Sequence, residues 1–95
     1  MKDLEKFKNE IAANVQDFVN RITPVFENLH TIEEVEKAEK EIDRAYEGGR
    51  KAIENTNYKL TDEEKYDLCY LYDFNFSAVY DVINNTKYNI NQGIQ

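Results

Sequence analysis

Cysteine, proline and glycine are scarce in this sequence, which excludes an internal disulfide and favours helices. The 95 residues include one cysteine, one proline, three glycines and no tryptophan. A single thiol, Cys69, cannot form an internal disulfide, which fits a reducing compartment. Because few residues break helices, the composition favours long helices. At this length the chain can form one domain with a single modest core.

Long apolar runs and a secretion signal are also lacking. No apolar stretch approaches membrane-spanning length. The N-terminal segment MKDLEKFKNEIAANV carries charges throughout and has no apolar central region, unlike a signal peptide. We therefore expect a cytoplasmic protein without a membrane partner.

Positive charge is scarce in the last third of the chain. The net charge is −7, and residues 61–95 account for −4 of it because they hold six acids but only Lys65 and Lys87 as bases. A negative surface repels phosphate backbones, which argues against direct nucleic-acid binding. It favours association with a basic protein surface, although net charge also keeps a small protein soluble.

Apolar spacing in the first third predicts an amphipathic helix with one buried face. Apolar residues recur every seven positions, at Leu4, Ile11, Phe18 and Val25. Pro24 interrupts this pattern, and Thr23 could cap a new helix with proline at its first position. We therefore expect a helix from about residue 3 to 22, followed by a kink or a short second piece to about 29.

Two capping boxes mark the starts of two further helices. Thr31 is followed three residues later by Glu34, and Thr61 is followed by Glu64 at the same spacing. In such a pair the hydroxyl and the carboxylate satisfy backbone N–H groups that the first turn of a helix leaves free. The second and third helices are therefore expected to start at about residues 32 and 62.

The apolar periodicity also predicts how far these helices extend. In helix two it continues past Gly48-Gly49, so we expect one helix from about 32 to 56, straight or bent at the glycines, with an end of the helix at Gly48-Gly49 as the alternative. Small residues on its inward side would let another helix approach closely: Ala38, Ala45, Gly49 and Ala52. Helix three is expected from about 62 to 84. The sequence thus predicts an all-α protein, with residues 1–84 as one small antiparallel three-helix bundle (four-helix if Pro24 splits helix one) and 85–95 as a flexible C-terminal tail.

Residues 66–82 are the most ambiguous stretch. Every second residue is apolar or aromatic, which is the pattern of a β-strand. Three features favour a helix: the run exceeds the usual length of a strand, it contains no turn residues, and a capping box precedes it. As a helix it is apolar on one side, which includes Leu68, Leu71 and Tyr72, and it mixes aromatic residues with carboxylates on the other.

The mixed side of helix three is either a covered flank of the fold or a binding surface. Tyrosine suits both places, because its ring is apolar while its hydroxyl can stay hydrated. If the side binds a partner, the candidate partner-binding residues are Asp67, Tyr70, Asp73, Phe74 and Asp81.

Patterns for catalysis, metal binding and phosphate binding are missing or isolated. His30, the only histidine, has one Glu-x-x-His spacing with Glu27, but carboxylate-bridged metal centres in helical bundles need two such pairs. Cys69 has no histidine in its own helix, and Gly48-Gly49 lacks the rest of a phosphate loop. We therefore expect a protein that is not an enzyme and that has no metal or cofactor.

Three functions fit these patterns. The first is a non-catalytic inhibitor of a basic, nucleic-acid-binding host protein, by analogy with small acidic proteins of bacterial phages and mobile elements; its carboxylates would replace phosphates. The second is a cytosolic helical bundle like those that confer immunity to bacteriocins. The third is a homo-oligomeric structural module, such as a homodimer, with the mixed side of helix three as its own interface.

Overall fold

Three α-helices make up the fold. The computed structural model describes residues 2–94, and its helices are α1 (Lys2–Glu27), α2 (Ile32–Glu54) and α3 (Asp62–Asn91). Residues 2–94 contain no β-strand. The prediction of an all-α protein is confirmed, and the alternating residues 66–82 are helical.

Pro24 does not split α1, so the four-helix alternative is wrong. The proline lies in the last turn of the helix, where its missing N–H removes a single intrahelical hydrogen bond. Thr23 does not cap a new helix, because its hydroxyl donates to the carbonyl of Val19 at 2.7 Å. The side-chain amide of Asn28 donates to the carbonyl of Pro24 at 2.8 Å. Both side chains therefore support the end of one continuous helix.

Both predicted capping boxes are present. The hydroxyl of Thr31 accepts from the N–H of Glu34 at 3.2 Å, and the Glu34 carboxylate accepts from the N–H of Thr31 at 3.0 Å. Thr61 and Glu64 make the same pair of bonds at 3.1 and 2.8 Å. The backbone N–H groups of His30 and Thr31 lower the pKa of Glu34, and that of Thr61 lowers the pKa of Glu64.

α2 is continuous through its two glycines, which have different surroundings. A Cβ atom added at Gly48 would meet nothing within 4 Å. A Cβ atom at Gly49 would overlap the ring of Tyr72, whose Cζ lies 2.5 Å from that position. α3 therefore approaches α2 closely at Gly49, as predicted for the small-residue side of helix two.

α3 continues to Asn91, well beyond the end expected near residue 84. Thr86 is buried, Ile90 packs against the core, and Lys87 forms an ion pair with Glu39 at 2.8 Å. Contacts with the rest of the molecule thus stabilise a segment whose asparagines have weak helix propensity. Residues 85–91, expected in the tail, belong to the helix, and Gln95 lies outside the described residues.

α3 is the central helix of the bundle. α1 and α2 both pack against α3, whereas they barely contact each other. Cross-helix bonds from Lys65 to Glu54 and from Lys87 to Glu39 show that α2 is antiparallel to α3. The core consists of buried residues from all three helices: Ile11, Val15, Phe26, Val35, Ile42, Ile53, Leu68, Tyr72, Phe76, Val79 and Ile83. The result is a three-helix bundle, 49 × 18 × 16 Å, that is open between α1 and α2.

None of the helices in residues 2–94 combines the length and the apolar character needed to cross a bilayer.

Candidate interaction surface on helix three

α3 buries one side and exposes a row of aromatic residues on the other. Tyr66, Tyr70 and Phe74 follow one another at intervals of four residues, and 72%, 71% and 70% of their surfaces are exposed. Tyr88, which is 62% exposed, lies nearly four turns after Phe74 and therefore on the same side. Because residues four apart are neighbours on a helix surface, the first three rings form a continuous apolar strip.

Carboxylates border this strip. Asp67 and Asp81 are exposed, and Glu63 lies one turn before Asp67. Within residues 2–94, neither aspartate takes part in an ion pair. We call this surface the outer face of α3 and define it by seven residues: Glu63, Tyr66, Asp67, Tyr70, Phe74, Asp81 and Tyr88.

The two lysines of α3 do not neutralise the outer face, because both bind to α2. The ammonium group of Lys65 donates to the backbone carbonyl of Glu54 at 3.2 Å. That of Lys87 pairs with the Glu39 carboxylate, and this contact raises the pKa of Lys87. The negative charge of the outer face is therefore uncompensated by its own helix.

Four of the five predicted partner-binding residues lie on the outer face, and Asp73 lies at its edge. The Asp73 carboxylate accepts a hydrogen bond from the hydroxyl of Tyr46 at 2.5 Å and pairs with Arg50 at 3.1 Å. The bond to Asp73 raises the pKa of Tyr46. Asp73 therefore joins α3 to α2, a role that the sequence did not indicate.

The buried aromatic residues of α3 belong to a cluster around Phe76. The rings of Phe18, Tyr46, Tyr72 and Tyr80 surround Phe76 at centroid distances between 5.2 and 5.9 Å. Pairs at this spacing add about 0.5–1.5 kcal/mol beyond the area that they bury. The cluster contains residues of all three helices, so it fixes α1 and α2 on α3.

The two tyrosines that α3 contributes to this cluster direct their hydroxyl groups to acceptors on α2. Tyr72 donates to the carbonyl of Tyr46 at 3.0 Å, and Tyr80 donates to the carboxylate of Asp43 at 2.6 Å. Burial raises the pKa of Tyr72 to about 12, and burial together with the bond to Asp43 raises the pKa of Tyr80. The interleaved tyrosines and acids of α3 thus form two sets, one that holds α2 and one that stays exposed.

The α2 partners of α3 were missed at the sequence level, although one of them had a signal. Tyr46 follows Ile42 by four residues, so it shares the buried side of α2. Arg50 and Asp73 had no signal, because an ion pair between separate helices has no characteristic spacing in sequence.

His30 and Cys69 lie too far apart to act together. His30 is exposed in the connection before α2, whereas Cys69 and Arg50 border a small depression of about 100 Å³. α2 rises about 27 Å from its first residue, Ile32, to Arg50. No group of three histidine, cysteine or carboxylate side chains in residues 2–94 is placed to hold a metal ion.

Comparisons of the chain with protein-family models, with curated proteins and with solved structures find no match. The protein is a small three-helix bundle, and its central helix, α3, has one exposed face of aromatic and acidic residues. Its function is therefore inferred from that face.

Proposed function

We propose that the protein is a non-catalytic protein-binding module whose outer face binds a basic protein surface. The observation that supports this most is the coincidence, on one helix face, of three rings about 70% exposed with carboxylates that lack a cation on the same helix. Each feature alone has a simpler explanation, since single exposed rings are common and negative charge aids solubility. Together they form an apolar strip with a charged border, which is the composition of a protein interface.

The spacing of the rings suits insertion into a groove of the partner. Tyr66, Tyr70 and Phe74 recur at four-residue intervals, close to the spacing with which an amphipathic helix places its anchors in a groove. Aromatic side chains give a large contact area at a low cost in conformational entropy. From Tyr66 to Tyr88 the helix rises about 33 Å, so a partner can contact several turns at once.

The proposed partner is a nucleic-acid-binding protein, and the proposed effect is inhibition. A surface that binds phosphates is rich in Lys and Arg, which is the charge that the outer face complements. Asp67 and Asp81 would then occupy places that phosphates occupy in the complex with nucleic acid. By analogy with small acidic proteins of phages and mobile elements, we propose that a phage or a mobile element encodes this protein. We propose that it acts in the bacterial cytoplasm.

Affinity capture from a bacterial lysate tests the proposal with three immobilised proteins. The first is the parent chain, and the second carries Asp67→Lys with Asp81→Lys on the outer face. The third is a matched control with the same change of charge on the exposed side of α2, Glu36→Lys with Glu47→Lys. We expect the parent and the control to retain the same basic protein and the outer-face variant to lose it.

The outcome that contradicts the proposal is equally specific. If the outer-face variant retains that protein as well as the parent does, the interface lies elsewhere. Loss of capture in the α2 variant alone would place the interface around Glu36, Asp43 and Glu47. Circular dichroism of all three proteins checks that the substitutions leave the helices intact.

A competition experiment separates binding from inhibition. The captured protein is mixed with labelled double-stranded DNA or RNA, and the parent chain is added. We expect the parent chain to release the nucleic acid, and the outer-face variant to release none. If protein and nucleic acid bind at the same time, the outer face is an interface but the protein is not an inhibitor of this kind.

A further inference from the structure

An apolar groove lies between α1 and α2, on the side of the molecule opposite the outer face. α1 and α2 barely contact each other, and the space between them measures about 240 Å³. Its floor is formed by Tyr72 and Phe76 of α3. These two residues lie about 200° around the helix axis from Tyr70 and Phe74, so the groove and the outer face are separate surfaces.

The two walls of the groove are complementary in size. The wall from α1 consists of large side chains and that from α2 of small ones: Phe7, Ile11 and Phe18 against Ala45, Gly49 and Ala52. Ala45 and Ala52 are exposed, because α1 does not reach across to cover them. Arg21 is the only charged residue among the described residues that line the groove.

The molecule also exposes more surface than a monomer of its size. Its solvent-accessible surface is 6653 Å², whereas monomeric proteins of 11.2 kDa expose about 5,700 Å². Its radius of gyration of 15.4 Å exceeds the value of about 12 Å for a compact domain of this length. The excess surface of roughly 950 Å² is close to the ~800 Å² that each partner buries in a standard interface.

We propose that a second copy of this chain covers the groove, so that the protein forms a symmetric dimer through α1 and α2. A two-fold axis parallel to the helices places α1 of each copy on α2 of the other, where its large side chains meet the small-residue wall. Each copy covers the groove of its partner in the same contact.

The charge distribution favours this arrangement over self-association through α3. Residues 61–95 carry −4 of the net charge of −7. In the proposed dimer the two outer faces point away from each other, which keeps the repulsion between the copies low. They also remain free, so the dimer offers two binding faces. The dimer can form whether or not these faces bind the partner proposed above.

A small apolar molecule is a poorer occupant of the groove. The space of about 240 Å³ is open to solvent and lies below the 300–1,000 Å³ that is usual for ligand pockets. A second copy, in contrast, would cover the groove and the exposed alanines beside it.

Sedimentation velocity of the full chain at about 100 µM tests the proposal. We expect a dimer for the parent protein. Ala45→Arg and Ala52→Arg each place a guanidinium in the apolar contact, so each should raise the dimer dissociation constant at least about tenfold. Both positions are exposed in the single chain, so the monomer should fold, which circular dichroism checks. Ala13→Arg is the matched control, on the side of α1 away from the groove, and should leave the dimer intact.

Four results would overturn the proposal. The first is a parent protein that sediments as a monomer at about 100 µM, and the second is a dimer that survives both groove variants. The third is a dimer that is lost in Phe74→Arg. The fourth is a monomer whose binding of the apolar dye ANS is abolished by Ala45→Arg. The third would place self-association on the outer face. The fourth would show that the groove takes a small apolar ligand instead of a second copy.

Discussion

The ring of Tyr72 lies against Gly49, in the space that any side chain at position 49 would occupy. Its hydroxyl donates to the backbone carbonyl of Tyr46, about one turn earlier in α2, at 3.0 Å. The backbone of α2 therefore holds both the ring and the hydroxyl of one residue of α3. Since α1 barely touches α2, the position of α2 is fixed mainly by contacts of this kind with α3.

Replacing the two glycines of α2 by alanine should have opposite effects. Gly49→Ala introduces a Cβ atom that overlaps Tyr72, and overpacking of this kind costs about 1–3 kcal/mol. Gly48→Ala meets nothing and should gain roughly 0.5–1 kcal/mol from the better helix propensity of alanine. Urea denaturation of the two variants measures the difference. Equal stabilisation by both would mean that Tyr72 does not pack on Gly49.

Core substitutions on α3 should distinguish Leu68 from Leu71. Both were predicted on the buried side, but Leu68 is fully buried whereas Leu71 is half-buried and lies outside the core cluster. Leu68→Ala should lower the free energy of unfolding by about 2–5 kcal/mol, and Leu71→Ala by less than about 1.5 kcal/mol. Chemical denaturation of both variants provides the comparison, and similar losses would contradict the assignment of the buried side.

Removing the last turns of α3 should destabilise the fold. Deletion of residues 85–95 removes buried Thr86, the packing of Ile90 and the ion pair of Lys87, so we expect a loss of at least ~2 kcal/mol. Deletion of 92–95 alone is the control and should leave thermal unfolding nearly unchanged. If both truncated chains melt like the parent, residues 85–91 are a tail after all.

The buried tyrosines predict a loss of stability in alkali. Burial raises the pKa of Tyr72 to about 12, whereas a tyrosine in the unfolded chain titrates near ~10. Above pH ~10 the unfolded chain therefore releases a proton that the folded protein keeps, and stability falls by up to ~1.4 kcal/mol per pH unit until the folded pKa is reached. Tyr72→Phe should flatten this fall, and Tyr66→Phe, an exposed control, should not. Parallel pH profiles for parent and Tyr72→Phe would contradict the burial of this hydroxyl.

The parts of the fold that depend on local chemistry could be predicted from the sequence. The two capping boxes place the starts of α2 and α3 because both partners lie within four residues of each other. The effect of Pro24 was misjudged, since its cost depends on how close the helix end is, which the sequence does not define. The end of α3 was missed because Glu39 and the core, far away in sequence, hold Lys87 and Ile90.

The candidate site was predictable to the extent that one helix determines it. Tyr70 and Phe74 share a face because of helical geometry alone. They are exposed, which was one of the two alternatives for the mixed side of helix three. Asp73 differs because its partners, Tyr46 and Arg50, come from another helix. A single-helix projection shows which side a residue is on, but it cannot show which side chain of a neighbouring helix it meets.

The affinity of the captured basic protein for the double variant Tyr70→Ala with Phe74→Ala is the most direct test of the proposed interface. Both rings are about 70% exposed, so their removal should leave the fold intact. As anchors of an interface they should cost at least ~2 kcal/mol of binding energy, which is about a 30-fold rise in Kd by titration calorimetry. Val25→Ala, which trims an exposed apolar residue of α1, should bind like the parent chain. If the double variant also binds with the parent Kd, the outer face of α3 is not the interface.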